Sequence, residues 1–321
     1  MPELPSVSVV VPTYNGVSLL ERVLRPLVED PAATEVIVVV DGSRDGSKEL
    51  VDQLARDDPR LRSLLIDNSG DMGAREVGAR AARGEIVLFV DDDVLAHPGL
   101  VSGHARRHAE DGAQIVVGYM PVVVSARRGP DDFPLRFYAS EYEGRCEIYE
   151  REPASVVRHL WGGNFSMRRA DCLAIGMSNP GFTEHYHGDR EFGLRCLEAG
   201  LSGVFDRSLS AAHLHDRTLE SFVRDARSQG AARVLLPAFH PAIESPPEPG
   251  EFARGIPEPV AGLVRLCRRP RAHAAMSASL ERLLRVAGVA RLWLVQDYAA
   301  SMLRRIEQQQ GAIEQSRGRR G

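Results

Sequence analysis

Apolar residues in the first third of the chain fall in short runs separated by stretches of helical spacing. Val7 to Val11 and Val36 to Val40 are too short for helices and rich in β-branched residues, as expected of strands buried on both faces. Leu61 to Ile66 and Ile86 to Val90 repeat the theme. Between them, Val17 to Val28, Ser47 to Ala55 and Gly73 to Ala82 have helical spacing. Strands alternating with helices predict βαβ units, and so an α/β fold with a mainly parallel sheet flanked by helices. These first hundred residues have the pattern of a nucleotide-binding unit.

The pattern then changes. Ser125 to Glu152 holds Pro130, Pro134 and the cluster Phe137-Tyr138-Ala139-Ser140-Glu141-Tyr142, and reads as an excursion or lid across the sheet edge. Regular structure resumes around Trp161 to Arg169, and Asp189 to Ala199 reads as a helix closed by Gly200. Pro241 to Pro259, with six prolines, reads as loop. Beyond it Leu280, Leu283, Leu284, Ala287, Leu294, Tyr298 and Leu303 mark amphipathic helix. No internal repeat is visible.

One polar run stands out against this frame. Asp91-Asp92-Asp93 follows the apolar run Ile86 to Val90, where a buried strand would end. Three carboxylates there repel one another unless a cation sits among them, and a divalent metal shared with a substrate diphosphate turns that repulsion into binding. Strand ends in open α/β sheets are where such ligands sit. An acidic turn facing solvent is the plainer alternative.

Composition narrows the partners. The chain has 321 residues, 43% of them hydrophobic, enough for a substantial core. A net charge of −4 gives no reason to expect nucleic acid as the main partner. From Pro259 onward, however, there are twelve Arg and four acidic residues. This basic tail suits either an anionic membrane surface or a solvated helical face. Cys146, Cys172, Cys196 and Cys267 lie far apart and predict reduced thiols in a cytoplasm, without a zinc site. The start, Met1-Pro2-Glu3-Leu4-Pro5, shows no signal peptide, and no stretch is long and apolar enough for a membrane span. Cytoplasmic residence, with peripheral contact at the inner membrane face, is the expectation.

Four further segments fall into order around the triplet. Val9-Val10-Val11-Pro12-Thr13-Tyr14-Asn15-Gly16, then Val39-Val40-Asp41-Gly42-Ser43-Arg44-Asp45-Gly46-Ser47, then Asn68-Ser69-Gly70 with Ala74-Arg75 and Gly78, and the triplet itself resemble the nucleotide-binding half of family 2 glycosyltransferases of GT-A fold. Gly188-Asp189-Arg190-Glu191-Phe192-Gly193-Leu194-Arg195 resembles the Glu-Asp motif of their acceptor half. The resemblance covers roughly residues 7 to 217.

It implies a GT-A domain over residues 1–218, with a nucleotide-binding half at 1–118 and an acceptor-binding half at 119–218, followed by a helical extension at 219–321. It implies further that Pro12, Thr13, Tyr14, Asn15, Asp41 and Arg75 bind the nucleotide, Asp41 through the imide N–H of a base such as uracil. By the same match Asp92 meets the ribose, Asp93 holds Mg²⁺ or Mn²⁺ with His213 as a further ligand, and Asp91 supports one or the other. His215 is the weaker candidate; two His at i, i+2 can share one face of a strand but not of a helix. Trp161, Gly162, Gly163 and Asn164 would form the sugar pocket, two glycines allowing close backbone approach and the indole offering a flat face.

Asp189 would be the general base that deprotonates an acceptor hydroxyl, inverting the anomeric centre. An N-cap for the following helix is its structural alternative. The sequence departs from the family pattern at Val40, Glu76 and Gly188; at the last, either the usual acidic residue is dispensable or Glu184 takes some of its role. The implied donor is a nucleoside diphosphate sugar, first a UDP-sugar, and the implied acceptor a hydroxyl of a glycan, a lipid-linked intermediate or a small metabolite. Donor choice would rest on Trp161 and His185 to His187. A sugar-nucleotide-binding protein without turnover would have no use for Asp189. A nucleotidyltransferase should show a Gly-rich loop with Arg or Lys after the first strand, where this chain has Tyr14-Asn15-Gly16-Val17-Ser18.

Overall fold

The computed structural model describes residues 4–110, 114–182, 186–248 and 250–318. In chain order these form β1 (Val7–Thr13), α1 (Val17–Glu29), β2 (Ala33–Asp41), α2 (Ser47–Leu54), β3 (Leu61–Ile66), α3 (Asp71–Ala81), β4 (Ile86–Val90), β5 (Val94–Ala96), α4 (Leu100–Glu110), β6 (Ile115–Tyr119), α5 (Phe133–Arg151), α6 (Ser155–Arg158), β7 (Asn164–Arg168), α7 (Arg169–Ile175), α8 (Gly188–Glu198) and β8 (Gly203–His213). Helices α9 (Leu219–Phe239), α10 (Glu258–Leu266), α11 (Pro270–Val289) and α12 (Trp293–Gly318) follow. They cluster into two compact units, the first comprising 1–123, 142–183 and 188–215, the second 124–141, 184–187 and 216–321.

The first unit is an eight-stranded sheet of order β3-β2-β1-β4-β7-β6-β8-β5. Every residue of β1 and β4 is buried; β4 is accordingly apolar throughout, and in β1 the buried Ser8 hydroxyl donates to Glu35 at 2.7 Å. Parallel pairs join β1 to β2 and β4, β2 to β3, and β6 to β8, whereas β7 is antiparallel to β4 and β6, and β5 to β8. Chain order reverses direction across the sheet between β1 and β4, and it is outside the strand ends at such a switch point that open α/β sheets take their ligands. On one side of the sheet α1 packs through Leu20, Val23, Leu24 and Leu27, the i, i+3, i+4, i+7 stripe. Phe89 and Phe165 stack at 4.9 Å between neighbouring strands β4 and β7.

The second unit is helical. Phe133, Phe222, Leu280, Leu284, Leu303 and Ile306 are among its buried residues. Phe133 and Phe137 meet the Phe222 ring edge-on at 5.6 and 5.5 Å, which ties 124–141 to the C-terminal helices. Gly230 of α9 and Gly311 of α12 lie against each other's helix backbone, at Gln308 and Arg227, where no side chain would fit. The segment 241–259, expected as loop, carries a 3₁₀ turn at Glu251–Ala253 and the start of α10.

Within Ser125 to Glu152, read in sequence as an excursion or lid, most residues form α5, a helix of 19 residues. Pro134 sits in its first turn, where a missing N–H costs no helical hydrogen bond. All four cysteines are buried and free of disulfides. Among the described residues no helix is long and apolar enough to cross a membrane.

Candidate active site

The triplet lies between the end of β4 and the short β5, and three strand pairings determine what surrounds it. Parallel pairing of β1 with β4 brings the end of β1 alongside. There the Thr13 hydroxyl donates to Asp92 Oδ2 at 2.6 Å, and the next loop passes over Gly16, whose missing side chain leaves room for Asp92. Tyr14 is 60% exposed, its ring free to meet a ligand. Asn15 takes a positive φ of 56°, and its N–H donates to the Ser43 hydroxyl at 2.9 Å.

Antiparallel pairing of β4 with β7, with Val90 opposite Asn164, places the residues before β7 beside those after β4. Trp161, Gly162 and Gly163 therefore arrive at the triplet. Asp91 N–H donates to the Gly163 carbonyl at 3.2 Å, and Gly163 adopts φ +108° with its α-carbon facing Asp91 and Met120. Trp161 meets the Tyr142 ring edge-on at 5.4 Å. Asn164, expected in the sugar pocket, points into the core instead. Its amide donates to the Leu209 carbonyl at 3.0 Å and its oxygen faces His104 Nε2 at 3.0 Å. Burial lowers the pKa of His104 to about 3, so this imidazole is neutral.

Antiparallel pairing of β5 with β8 sets Val94 opposite His213. His213 Nε2 lies 3.2 Å from Asp93 Oδ1 and His215 Nδ1 lies 3.0 Å from Asp93 Oδ2. Ligand-capable atoms of all three lie within 4.8 Å of one another. His215, the weaker candidate in sequence, is thus as close as His213, because both leave the end of a strand rather than a helix.

The carboxylates differ sharply in charge state. Burial would raise Asp93, but the two imidazoles more than offset it and hold the group well below the usual carboxylate range. Asp92 is pushed up to about 7 by burial, against the Thr13 hydrogen bond and with help from Asp93 and Asp91. Burial also raises Asp91, against the pull of Arg75.

Asp189 opens α8. Gly162 N–H donates to its Oδ2 at 2.6 Å and Arg190 N–H to its Oδ1 at 2.7 Å. Burial nevertheless pushes its pKa up to about 6, against those two bonds and the charge of Arg75. A carboxylate poised there is ionised at neutral pH yet basic enough to accept a proton.

Arg75 is buried under the site and pairs with Asp91 and with Asp71, the latter at 3.0 Å. Sequence inspection missed Asp71, although its i, i+4 spacing from Arg75 was visible. Asp41 Oδ1 accepts from Ser69 N–H at 2.7 Å and Oδ2 from Gly70 N–H at 3.0 Å, which holds the turn before α3. Pro12 lies buried in β1. Glu76 is structural: it accepts from Ser178 N–H at 2.8 Å and from Arg80. Glu184 and His185 lie outside the described residues.

Comparison with known proteins gives one family. The model described as "Glycosyl transferase family 2" matches residues 8–175. The GalNAc(5)-diNAcBac-PP-undecaprenol beta-1,3-glucosyltransferase of Campylobacter jejuni is 39% identical over 115 residues, 35% of this chain and 37% of that protein. The matched segments span little more than a third of the length of such curated relatives. A mannosyltransferase from Pyrobaculum calidifontis, solved with GDP-Man and Mn²⁺, aligns over 98% of this chain and 88% of its own at TM-score 0.60 and 19% identity. Glucosyl-3-phosphoglycerate synthase of Mycobacterium tuberculosis, solved with Mn²⁺, UDP-glucose and phosphoglyceric acid, aligns over 77% and 82% at TM-score 0.53 and 18% identity. At such identities the likeness is one of fold.

Proposed function

The chain belongs to glycosyl transferase family 2, and from that premise we propose that it transfers a sugar, with inversion, from a nucleoside diphosphate sugar to an acceptor hydroxyl. The observation that carries this reading is the Gly162-Gly163 pair. Gly162 N–H holds the Asp189 carboxylate at 2.6 Å while the Gly163 carbonyl accepts from Asp91 N–H at 3.2 Å, so a base and an acidic cluster sit on either side of one dipeptide.

Residues 1–118 hold the nucleotide in this reading and residues 119–218 the acceptor. Tyr14 and Asp41 meet the base, Asp92 the ribose, and Arg75 pairs with Asp91 nearby. Asp189 takes the proton of the acceptor hydroxyl as its oxygen attacks the anomeric carbon. The new glycosidic C–O bond forms on the face opposite the diphosphate, whose anomeric C–O bond breaks. One carboxylate serves, unlike the acid and base pair of glycoside hydrolases.

Asp93, His213 and His215 fit a divalent cation: one ionised carboxylate and two imidazoles within reach of a single centre. Two nitrogen donors favour Mn²⁺ over Mg²⁺, which prefers oxygen ligands and retained waters. Such a cation, when bound, supplies positive charge for the departing diphosphate. The donor is a UDP-sugar by resemblance; GDP-mannose beside the Pyrobaculum enzyme makes GDP-sugars the first comparison. The acceptor is a glycan or lipid-linked intermediate, in keeping with the named substrate of the Campylobacter relative.

Nucleoside diphosphate release from UDP-, GDP- and dTDP-sugars with Mn²⁺ tests the reading. Slow hydrolysis of one donor by wild type, lost in both Asp93→Ala and Asp189→Asn, is the expected result. No turnover and no metal-dependent binding of any donor would overturn it.

A further inference from the structure

The turn joining α11 to α12 carries a concentration of exposed apolar side chains. Val286 is 58% exposed, Val289 76%, Leu292 53%, Leu294 76% and Tyr298 78%. All lie within about 9 Å of the turn along either helix axis, given a 1.5 Å rise per residue. Isolated exposed apolar residues are ordinary, but a cluster on one tip marks an interaction surface.

The tip is held firmly. Gln296, fully buried, donates through Nε2 to the Pro130 and Leu284 carbonyls at 2.6 and 3.2 Å and accepts from Arg128 at 2.8 Å. Gly288 lies so close to the Pro130 carbonyl that no side chain would fit. Leu292 N–H closes the turn on the Ala287 carbonyl at 2.8 Å, with Arg291 at φ +58°. Leu284, Ala287, Ala299 and Ala300 take the buried side, so the exposed residues are those left over on the opposite faces.

Charge identifies the occupant. Between Arg282 and Gln296 the chain has three arginines and no acidic residue, and Asp297 next to this stretch is paired with Arg128 at 2.5 Å. Arg282, Arg285 and Arg291 are exposed beside the apolar side chains. Apolar groups ringed by arginine suit an anionic lipid surface: the first enter the acyl boundary and the second meet headgroup phosphates. Tyr298 and Trp293, the latter stacked under the Arg128 guanidinium at 4.8 Å, are the residue types that settle at headgroup level. A second copy of this chain docked here would bring the same three arginines and no carboxylate from residues 282–296 to meet them.

We infer that the α11–α12 tip is a membrane-docking surface, inserting Val289, Leu292 and Leu294 into an anionic leaflet while Arg285 and Arg291 bind its headgroups. The inference does not depend on the transfer reaction, and its test needs no donor.

The test is co-sedimentation of the full chain with vesicles of phosphatidylcholine alone, or of equal parts phosphatidylcholine and phosphatidylglycerol. Wild type should sediment with the anionic vesicles only. Leu294→Asp and, separately, Arg291→Glu should each lose at least tenfold in partitioning, with circular dichroism melts unchanged because both side chains are exposed. Light scattering of the same proteins reports the rival occupant. Three results would overturn the proposal: no binding to anionic vesicles, binding insensitive to both substitutions, or a wild-type dimer that Leu294→Asp dissociates while leaving vesicle binding intact.

Discussion

Arg75 and Asp91 form an ion pair in which the guanidinium is only 3% exposed. Its carbon lies 5.9 Å from the ring centres of both Phe89 and Phe165, and its Nη1 is buried without a hydrogen-bond partner. Asp71 pairs with the same guanidinium, and Asp189 feels its charge. One cation thus holds together carboxylates that would otherwise repel across the site.

Arg75→Met removes that cation and strands Asp91 between Asp71 and Asp93. Truncating one partner of a buried pair typically costs about 3 kcal/mol. Urea unfolding should show a loss of that order, partly recovered by Asp91→Asn in the same chain. A wild-type midpoint for Arg75→Met would show that the pair does not stabilise the fold.

In the proposed reaction Asp189 would serve as base only when ionised. With its pKa pushed up to about 6, kcat/KM for donor and acceptor should be level above pH 7 and fall about tenfold per pH unit well below 6. An acidic limb centred near 4 would mean that burial does not raise this carboxylate, or that another group serves as base. Asp189→Asn should lower the plateau by at least about a hundredfold.

Gly163 and Gly144 make a contrasting pair. At Gly163, φ is +108° and an added β-carbon would lie 2.6 Å from Asp91 Oδ2 and 2.8 Å from Met120 Sδ. Gly163→Ala should cost about 1–3 kcal/mol from backbone strain alone and depress activity by displacing Asp91. Gly144 lies inside α5 with nothing within 4 Å of the added carbon, so Gly144→Ala should gain about 1 kcal/mol. Thermal melts of the two variants should move in opposite directions; movement in the same direction would contradict the local geometry.

If Asp93, His213 and His215 bind a cation, Mn²⁺ should raise the melting temperature. A ligand at a hundred times its Kd stabilises by about 2.7 kcal/mol, a shift of several degrees. His215→Ala should abolish most of that shift, as should His213→Ala. An undiminished shift in both variants would place the cation elsewhere.

Much of this was legible in the chain itself. The runs Leu61 to Ile66 and Ile86 to Val90 coincide with β3 and β4, and helices α1, α2, α3 and α8 begin or end within two residues of the expected limits. Such signals are local: burial on both faces gives β4 its unbroken apolar run, the partly exposed edge strand β3 keeps Arg62 and Ser63 within its own, and burial of one helical face demands a 3.6-residue period. The position of the triplet at a strand end follows from the same pattern. Helix α5 was missed because prolines and clustered aromatics obscured it, although proline in a first turn is compatible with a helix.

What surrounds the triplet was decided by tertiary structure. The antiparallel pairings of Val90 with Asn164 and Val94 with His213 bring together segments some 70 and 120 residues apart in the chain. They place Gly162 on Asp189, set both His213 and His215 against Asp93, and turn Asn164 inward to His104. Residue type and local spacing carry no record of which distant strand will lie alongside, because that choice depends on sheet register and on the cores packed against both faces. The sequence therefore determined the elements and the acidic strand end, and the fold decided which side chains meet there.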